Sequence, residues 1–280
     1  MGAWERGGMS GACKARGRLC RWTVAALVIG ATLPQMAQLA QAQDIGPYAG
    51  LGGSVRDIVL VHGAFADGSS WSQVTGILQR RGYRVAAVQN PLTSLADDVA
   101  ATRRVLRRQR GPVLLVGHSW GGAVVTEAGN DAAVKGIVYL SALVPDAGES
   151  VVGLLSRLQA PMKGLAPDED GFVWLDDAEA YRRMMAADVP MAAVRLLAAA
   201  QPPMSAGAFS EPVAAAAWRD RPTWYLVTGR DRALAPAVQR AIAAHIGARV
   251  ASLQSSHLSF VAHPRAVADL IDRAAREAGR

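Results

Sequence analysis

A serine becomes a nucleophile at neutral pH only where a base takes its proton and hydrogen-bond donors receive the charge it drives onto the substrate. In this sequence the candidate nucleophile lies in Gly117-His118-Ser119-Trp120-Gly121-Gly122. It directly follows an apolar run, residues 113–116, and directly precedes a helical pattern. A G-x-S-x-G turn between strand and helix is sharp; it strains the serine backbone and leaves the hydroxyl standing clear above a helix N-terminus.

A base is then needed, and the chain has five histidines. His118 is too close in sequence to fold back onto Ser119. His245 lies in a helical run, His263 precedes Pro264 at a helix start, and His62 ends an apolar strand. His257, in Ser255-Ser256-His257-Leu258, falls in a loop between the last strand and the last helix. The chain order serine, acid, histidine makes it the expected base. The acid that orients such an imidazole is expected at a carboxyl strand end. Asp231, in Thr228-Gly229-Arg230-Asp231, meets that condition; Asp146, in Val144-Pro145-Asp146, is the rival. The oxyanion requires two main-chain amides. One is that of Trp120; the other belongs to the loop after residues 58–61, at Ala64 or else Phe65.

These groups need a scaffold. Residues 58–61, 85–88, 113–116, 137–140 and 224–227 are short, continuous apolar runs, and 249–253 is a weaker one. Helical patterns near 70–81, 94–109, 120–129, 236–246 and 264–278 alternate with them. Continuous apolar strands separated by helices imply a mostly parallel sheet covered on both faces. The alternation breaks between about 146 and 220, where no strand is apparent and helical pieces fall near 178–187 and 191–200. An insertion leaving the sheet on its carboxyl side predicts a helical lid over the site. Phe172, Trp174, Met184, Met185, Met191, Leu196, Leu197, Met204, Phe209 and Trp218 make this segment apolar, and so predict a pocket for small to medium, mostly uncharged substrates.

Composition narrows the alternatives. The 280 residues are 51% hydrophobic and 19% charged, as an ordinary globular chain is. The formal charge of +7 sits largely in residues 1–42, where Arg6, Lys14, Arg16, Arg18 and Arg21 face only Glu5. No basic stripe remains for nucleic acid. That basic region, the apolar residues 22–33 and Ala40-Gln41-Ala42 together read as a secretory signal, with Met9 as an alternative start. The mature protein, residues 43–280, is then expected in the periplasm or outside the cell without a stable membrane anchor. Cys13 and Cys20 both lie in the leader, which leaves no thiol nucleophile or disulfide beyond it. No nucleotide-binding glycine loop, H-E-x-x-H helix or Cys/His cluster is present, so neither cofactor nor metal is expected.

Together with Val59-Leu60-Val61-His62-Gly63-Ala64 and the stretch 225–236, these motifs resemble the α/β-hydrolase superfamily over about residues 56–275, and within it the plant methylesterase and hydroxynitrile lyase branch with its bacterial relatives. The resemblance implies an α/β-hydrolase fold, a triad of Ser119, Asp231 and His257, and oxyanion donors at Ala64 and Trp120. The short connection from residue 43 to the first strand leaves little room for an extra hairpin. The lyases of this branch carry a threonine after the strand histidine and a lysine after the catalytic one. Here those positions are Gly63 and Leu258, so the resemblance implies hydrolysis of a small-molecule carboxylic ester. A C–C or amide hydrolase or lyase on the same triad, or a silent ligand-binding homologue, are the other readings.

Overall fold

The computed structural model describes residues 55–279, apart from positions 163 and 165. The expected leader, its cleavage site, both candidate start methionines and most of the connection to the first strand lie outside the described residues. The chain runs β1 (Asp57–Val61), α1 (Ser72–Arg80), β2 (Arg84–Ala87), α2 (Leu95–Leu106), β3 (Val113–His118), α3 (Gly121–Ala128) and β4 (Val134–Leu140). It continues through α4 (Val151–Arg157), β5 (Phe172–Val173), α5 (Ala178–Met184), α6 (Met191–Ala200) and β6 (Met204–Ser205). It closes with β7 (Thr223–Thr228), α7 (Pro236–His245), β8 (Arg249–Leu253), α8 (Ser259–Ala262) and α9 (Pro264–Ala278).

Six strands form one sheet in the order β2-β1-β3-β4-β7-β8, and every pairing is parallel. Every residue of β1, β3 and β7 is buried. Such burial requires cover on both faces and accounts for their unbroken apolar sequences. Helices α1, α8 and α9 pack on one another, with α9 against β3 and β4; α2 and α3 pack together over β1 and β3. The fit of α9 follows from its spacing: Val267, Leu270, Ile271 and Ala274 recur at three and four residues and are all buried. At the β2 edge, Arg84 donates from Nε and Nη2 to the two oxygens of buried Asp57, at 2.6 and 2.8 Å, a fork that sets the β1–β2 register.

The chain leaves β1 outward to β2, then returns past β1 to β3 and continues the other way. The order therefore reverses between β1 and β3, and a crevice opens beyond their carboxyl ends. Val61 pairs with Gly117 across that point.

Between β4 and β7 lies the insertion. It contains α5 and α6 as the helical patterning predicts, α4 in addition, and a two-residue antiparallel pair, β5 with β6, where no strand was expected. Two residues are too few to display a period of two. Among the described residues no helix is long and apolar enough to cross a membrane.

Candidate active site

Ser119 follows β3 and sits at φ = 52°, the left-handed region that a non-glycine residue enters only under constraint. The constraint is visible. Its amide donates to Leu140 O at 3.2 Å, and its carbonyl accepts from the amides of Gly122 at 2.9 Å and Leu143 at 3.0 Å. Helix α3 begins at once and runs hard against the β1 loop: a Cβ on Gly121 would lie 2.6 Å from Val61 O and 2.7 Å from His62 O. Only glycine allows that approach.

Ala64 lies three residues beyond Val61, and Trp120 three beyond its partner Gly117. The two residues thus lie just past adjacent strand ends, on either side of the reversal. Neither amide has an acceptor among the described residues. The loop carrying Ala64 is held by a neutral histidine. His62 donates from Nδ1 to Gly63 O at 2.9 Å and accepts at Nε2 from the Asn90 amide at 2.9 Å, while Asn90 Nδ2 donates to His62 O at 2.9 Å. Burial pushes the His62 pKa down, against the opposing effect of its bond to Gly63.

The structure brings His257 and Asp231 together. Nδ1 of His257 lies 2.7 Å from Oδ2 of Asp231, with both side chains essentially inaccessible to solvent. The same oxygen accepts from Thr228 Oγ1 at 2.7 Å and Gln239 Nε2 at 2.9 Å, while Oδ1 accepts the amides of Ala233 and Leu234, each at 2.8 Å. Burial pushes the Asp231 pKa up, but His257 and these donors outweigh it and hold the carboxyl below its ordinary range. The rival, Asp146, is engaged elsewhere: it accepts from Arg219 and from His245, the latter at 2.8 Å, and it does not line the central cavity.

That cavity, of about 410 Å³, brings Ala64, Ser119, Trp120 and His257 onto one surface. Phe65, the alternative donor, lines it too. The insertion supplies part of the lining. Of the ten apolar residues named from the sequence, Met184, Met185 and Phe209 reach the cavity, joined by Leu155, Pro161 and Met162. Trp174 and Leu196 face solvent, 47% and 73% exposed, and Met204 is sealed in the core. Apolarity identified the segment but not its inward face, because short helices and irregular turns share no period. Among the described residues no cluster of His, Cys, Asp and Glu could hold a metal ion.

Sequence reasoning also missed Asp98. It lies in the first turn of α2, where a carboxylate normally complements the helix dipole. Instead it is fully buried and accepts from Trp120 Nε1 at 2.7 Å and from the Leu92 amide at 2.8 Å. Burial pushes its pKa up to about 6 despite both bonds. His118, next to Ser119, is buried against Phe260 and reaches the His257 carbonyl from Nε2 at 3.2 Å. Burial holds its pKa well below the ordinary value, and His257 adds to the effect.

Residues 58–270 match the family model described as "Alpha/beta hydrolase family". The chain is 28% identical over 247 residues to the alpha/beta hydrolase nvfD of Aspergillus novofumigatus, covering 79% of this chain and 97% of that one. It is 36% identical over 110 residues to a pyrethroid hydrolase of Sphingobium wenxiniae, covering 34% of this chain and 39% of that enzyme. In structure it resembles the pyrethroid hydrolase PytH, with a TM-score of 0.67 at 24% identity over 80% of this chain and 99% of that one. It also resembles tomato methylketone synthase I, with a TM-score of 0.70 at 16% identity over 80% and 98%.

Proposed function

The chain belongs to the alpha/beta hydrolase family and is a hydrolase, and on that premise we propose that it cleaves small to medium, mostly uncharged carboxylic esters through an acyl-enzyme on Ser119. His257 takes the Ser119 proton as the hydroxyl attacks the ester carbonyl, and Asp231 orients the imidazole and stabilises its charged form. The amides of Ala64 and Trp120 receive the oxyanion. Collapse of the tetrahedral intermediate expels the alcohol, which takes the proton from His257. Water then enters by the same route in reverse and releases the acid.

One observation carries this reading. The 2.7 Å His257–Asp231 bond stands behind a cavity that also holds Ser119 and two uncommitted amides. The likeness to relatives named pyrethroid hydrolase supports ester cleavage. The interior also supports it over lyase chemistry. A Cβ at Gly63 would lie 2.7 Å from Ser119 Cβ, which leaves no place for a threonine, and Leu258 is fully buried and uncharged.

The insertion acts as a lid that selects substrate. Beyond Ser119 and His257, the polar side chains lining the cavity are Gln159 and Arg232, and Arg232 is exposed. A phosphorylated substrate would leave its charge unpaired in the interior. The cavity volume is near the lower end for small-molecule sites, which favours short acyl chains. A fluorophosphonate probe should label Ser119 in the folded protein, as read by peptide mapping; absence of that adduct overturns the serine-hydrolase reading. Equal turnover of long- and short-chain p-nitrophenyl esters overturns the pocket argument alone. Residues 1–42 act as an export signal in this proposal; an intact mass that still includes Met1 or Met9 in cytosolic protein would refute it.

A further inference from the structure

The lid does more than cover the cavity. Just beyond α5, Asp188 turns its carboxylate onto the loop that carries His257. Oδ2 accepts the Ser256 amide at 2.9 Å, and Oδ1 accepts the Ser256 hydroxyl. On the other side of His257, the Leu258 amide donates to Met185 O at 3.0 Å. The residues before and after the histidine are therefore both tied to one short stretch of the insertion, 185–188. The histidine's own carbonyl is approached by His118 Nε2 at 3.2 Å.

This stretch is itself anchored and in contact with the cavity. Met184 and Met185 line the cavity. Tyr181, one turn earlier, is fully buried and donates its hydroxyl to Phe65 O at 2.8 Å, beside the Ala64 amide. Asp188 is mostly shielded, and Arg230 Nη2 lies 3.8 Å and His263 Nε2 3.3 Å from its Oδ2. Burial pushes its pKa up, but the Ser256 bonds prevail and hold it below the usual carboxylate range. The carboxylate thus stays ionised and accepting at neutral pH.

We propose that Asp188 is a positioning residue, which fixes the loop carrying His257 to the lid so that the imidazole reaches Ser119 only when the lid is seated. Ser256 donates both its amide and its hydroxyl to this one carboxylate, whereas the Leu258 amide donates to main chain. A misplacement of about 1 Å between reacting groups costs about a hundredfold in rate. Loosening the loop is therefore expected to act on the proton-transfer step rather than on substrate binding. The inference rests on the triad reading above.

The test replaces Asp188 by Ala and by Asn in the full chain and follows p-nitrophenyl acetate hydrolysis, the rate of Ser119 labelling by a fluorophosphonate, and thermal melting. Asp188→Ala should lower kcat and the labelling rate together by about ten- to a hundredfold, with KM within about twofold. Asp188→Asn should restore both rates to within about threefold, because a carboxamide can accept the Ser256 amide and donate to its hydroxyl. If Asp188→Ala does not fold, Ser256→Ala, which deletes one of the two bonds, should still lower both rates by about threefold with KM unchanged. Rates within twofold of the parent for Asp188→Ala, or for Ser256→Ala where that variant is used, overturn the proposal. So does a loss confined to melting temperature, or an Asn variant as slow as the Ala variant. Ser119→Ala and His257→Ala separate the two readings: full activity in either overturns the triad itself, whereas inactive controls beside a parent-like Asp188→Ala overturn only the positioning role.

Discussion

The substitution Asp231→Asn tests the site with a direction fixed by the hydrogen bonds already present. Oδ1 of Asp231 accepts two backbone amides, from Ala233 and Leu234. An amide nitrogen cannot replace it, since two donors would then face a third. The asparagine oxygen must therefore stay there, and its nitrogen must take the place of Oδ2, 2.7 Å from His257 Nδ1. From that position it donates to Nδ1 and forces the imidazole proton onto Nε2. An imidazole protonated at Nε2 cannot accept the Ser119 proton. The same exchange in a serine protease triad lowers kcat by about 10⁴, or about 5.5 kcal/mol in barrier. A similar loss is expected here, with KM little changed. The variant also faces Gln239 Nε2, whose own orientation is held by Oε1 accepting the Thr228 amide at 2.9 Å, so one buried bond is lost at about 1–3 kcal/mol of stability. Steady-state hydrolysis of p-nitrophenyl acetate, alongside urea unfolding to show that the variant is folded, measures both. Asp146→Asn is the control: it disturbs only the partly exposed pairs with Arg219 and His245, and should leave kcat within about twofold. A folded Asp231→Asn enzyme within tenfold of the parent, or a larger loss in Asp146→Asn, would refute the assignment of the acid.

Two further outcomes follow from the surroundings of Ser119. Asp98 has a folded pKa of about 6, above its unfolded value, so folding takes up a proton and its contribution to stability is lost as pH rises toward and through 6. Relative to Asp98→Asn, the parent should lose about 2.4 kcal/mol of unfolding free energy between pH 4 and pH 8; a difference that does not vary with pH would show that the carboxyl titrates normally. Gly63→Ala places a methyl group 2.7 Å from Ser119 Cβ and 3.0 Å from His118 Nδ1. It should cost about 1–3 kcal/mol in stability and slow fluorophosphonate labelling, and unchanged stability with full labelling would contradict that geometry.

The sheet was legible because its central strands are buried on both faces and so are written as unbroken apolar runs. β8 read weakly for the opposite reason: it is an edge strand whose first two residues are exposed. Ser119, His257 and Asp231 could be singled out as candidates because each follows a strand whose end lies on the same side of the sheet. Helix α4 was not read, since seven residues after the Ser150 cap hold too little periodicity to register. Asp98, Asp188 and Gln239 were missed for a different reason. Each is a polar residue on a helix or turn whose meaning depends on a partner far off in sequence, Trp120, Ser256 and Asp231 respectively. Asp98 was further disguised by occupying a place where aspartate is common for local reasons.

The matched offsets of Ala64 and Trp120 from the Val61–Gly117 pair have a bearing on how such a protein can change. Each lies three residues past a pair of strands that sit roughly 4.8 Å apart in any sheet, so main chain rather than drifting side chains places them. Chemistry is thereby inherited with the scaffold, while the insertion between β4 and β7 can be exchanged to select other substrates. A graft that keeps only the apolar lining would nonetheless import a lid without its latch. If Asp188 positions His257 as proposed, a transplanted insertion also needs an acceptor where Asp188 meets Ser256.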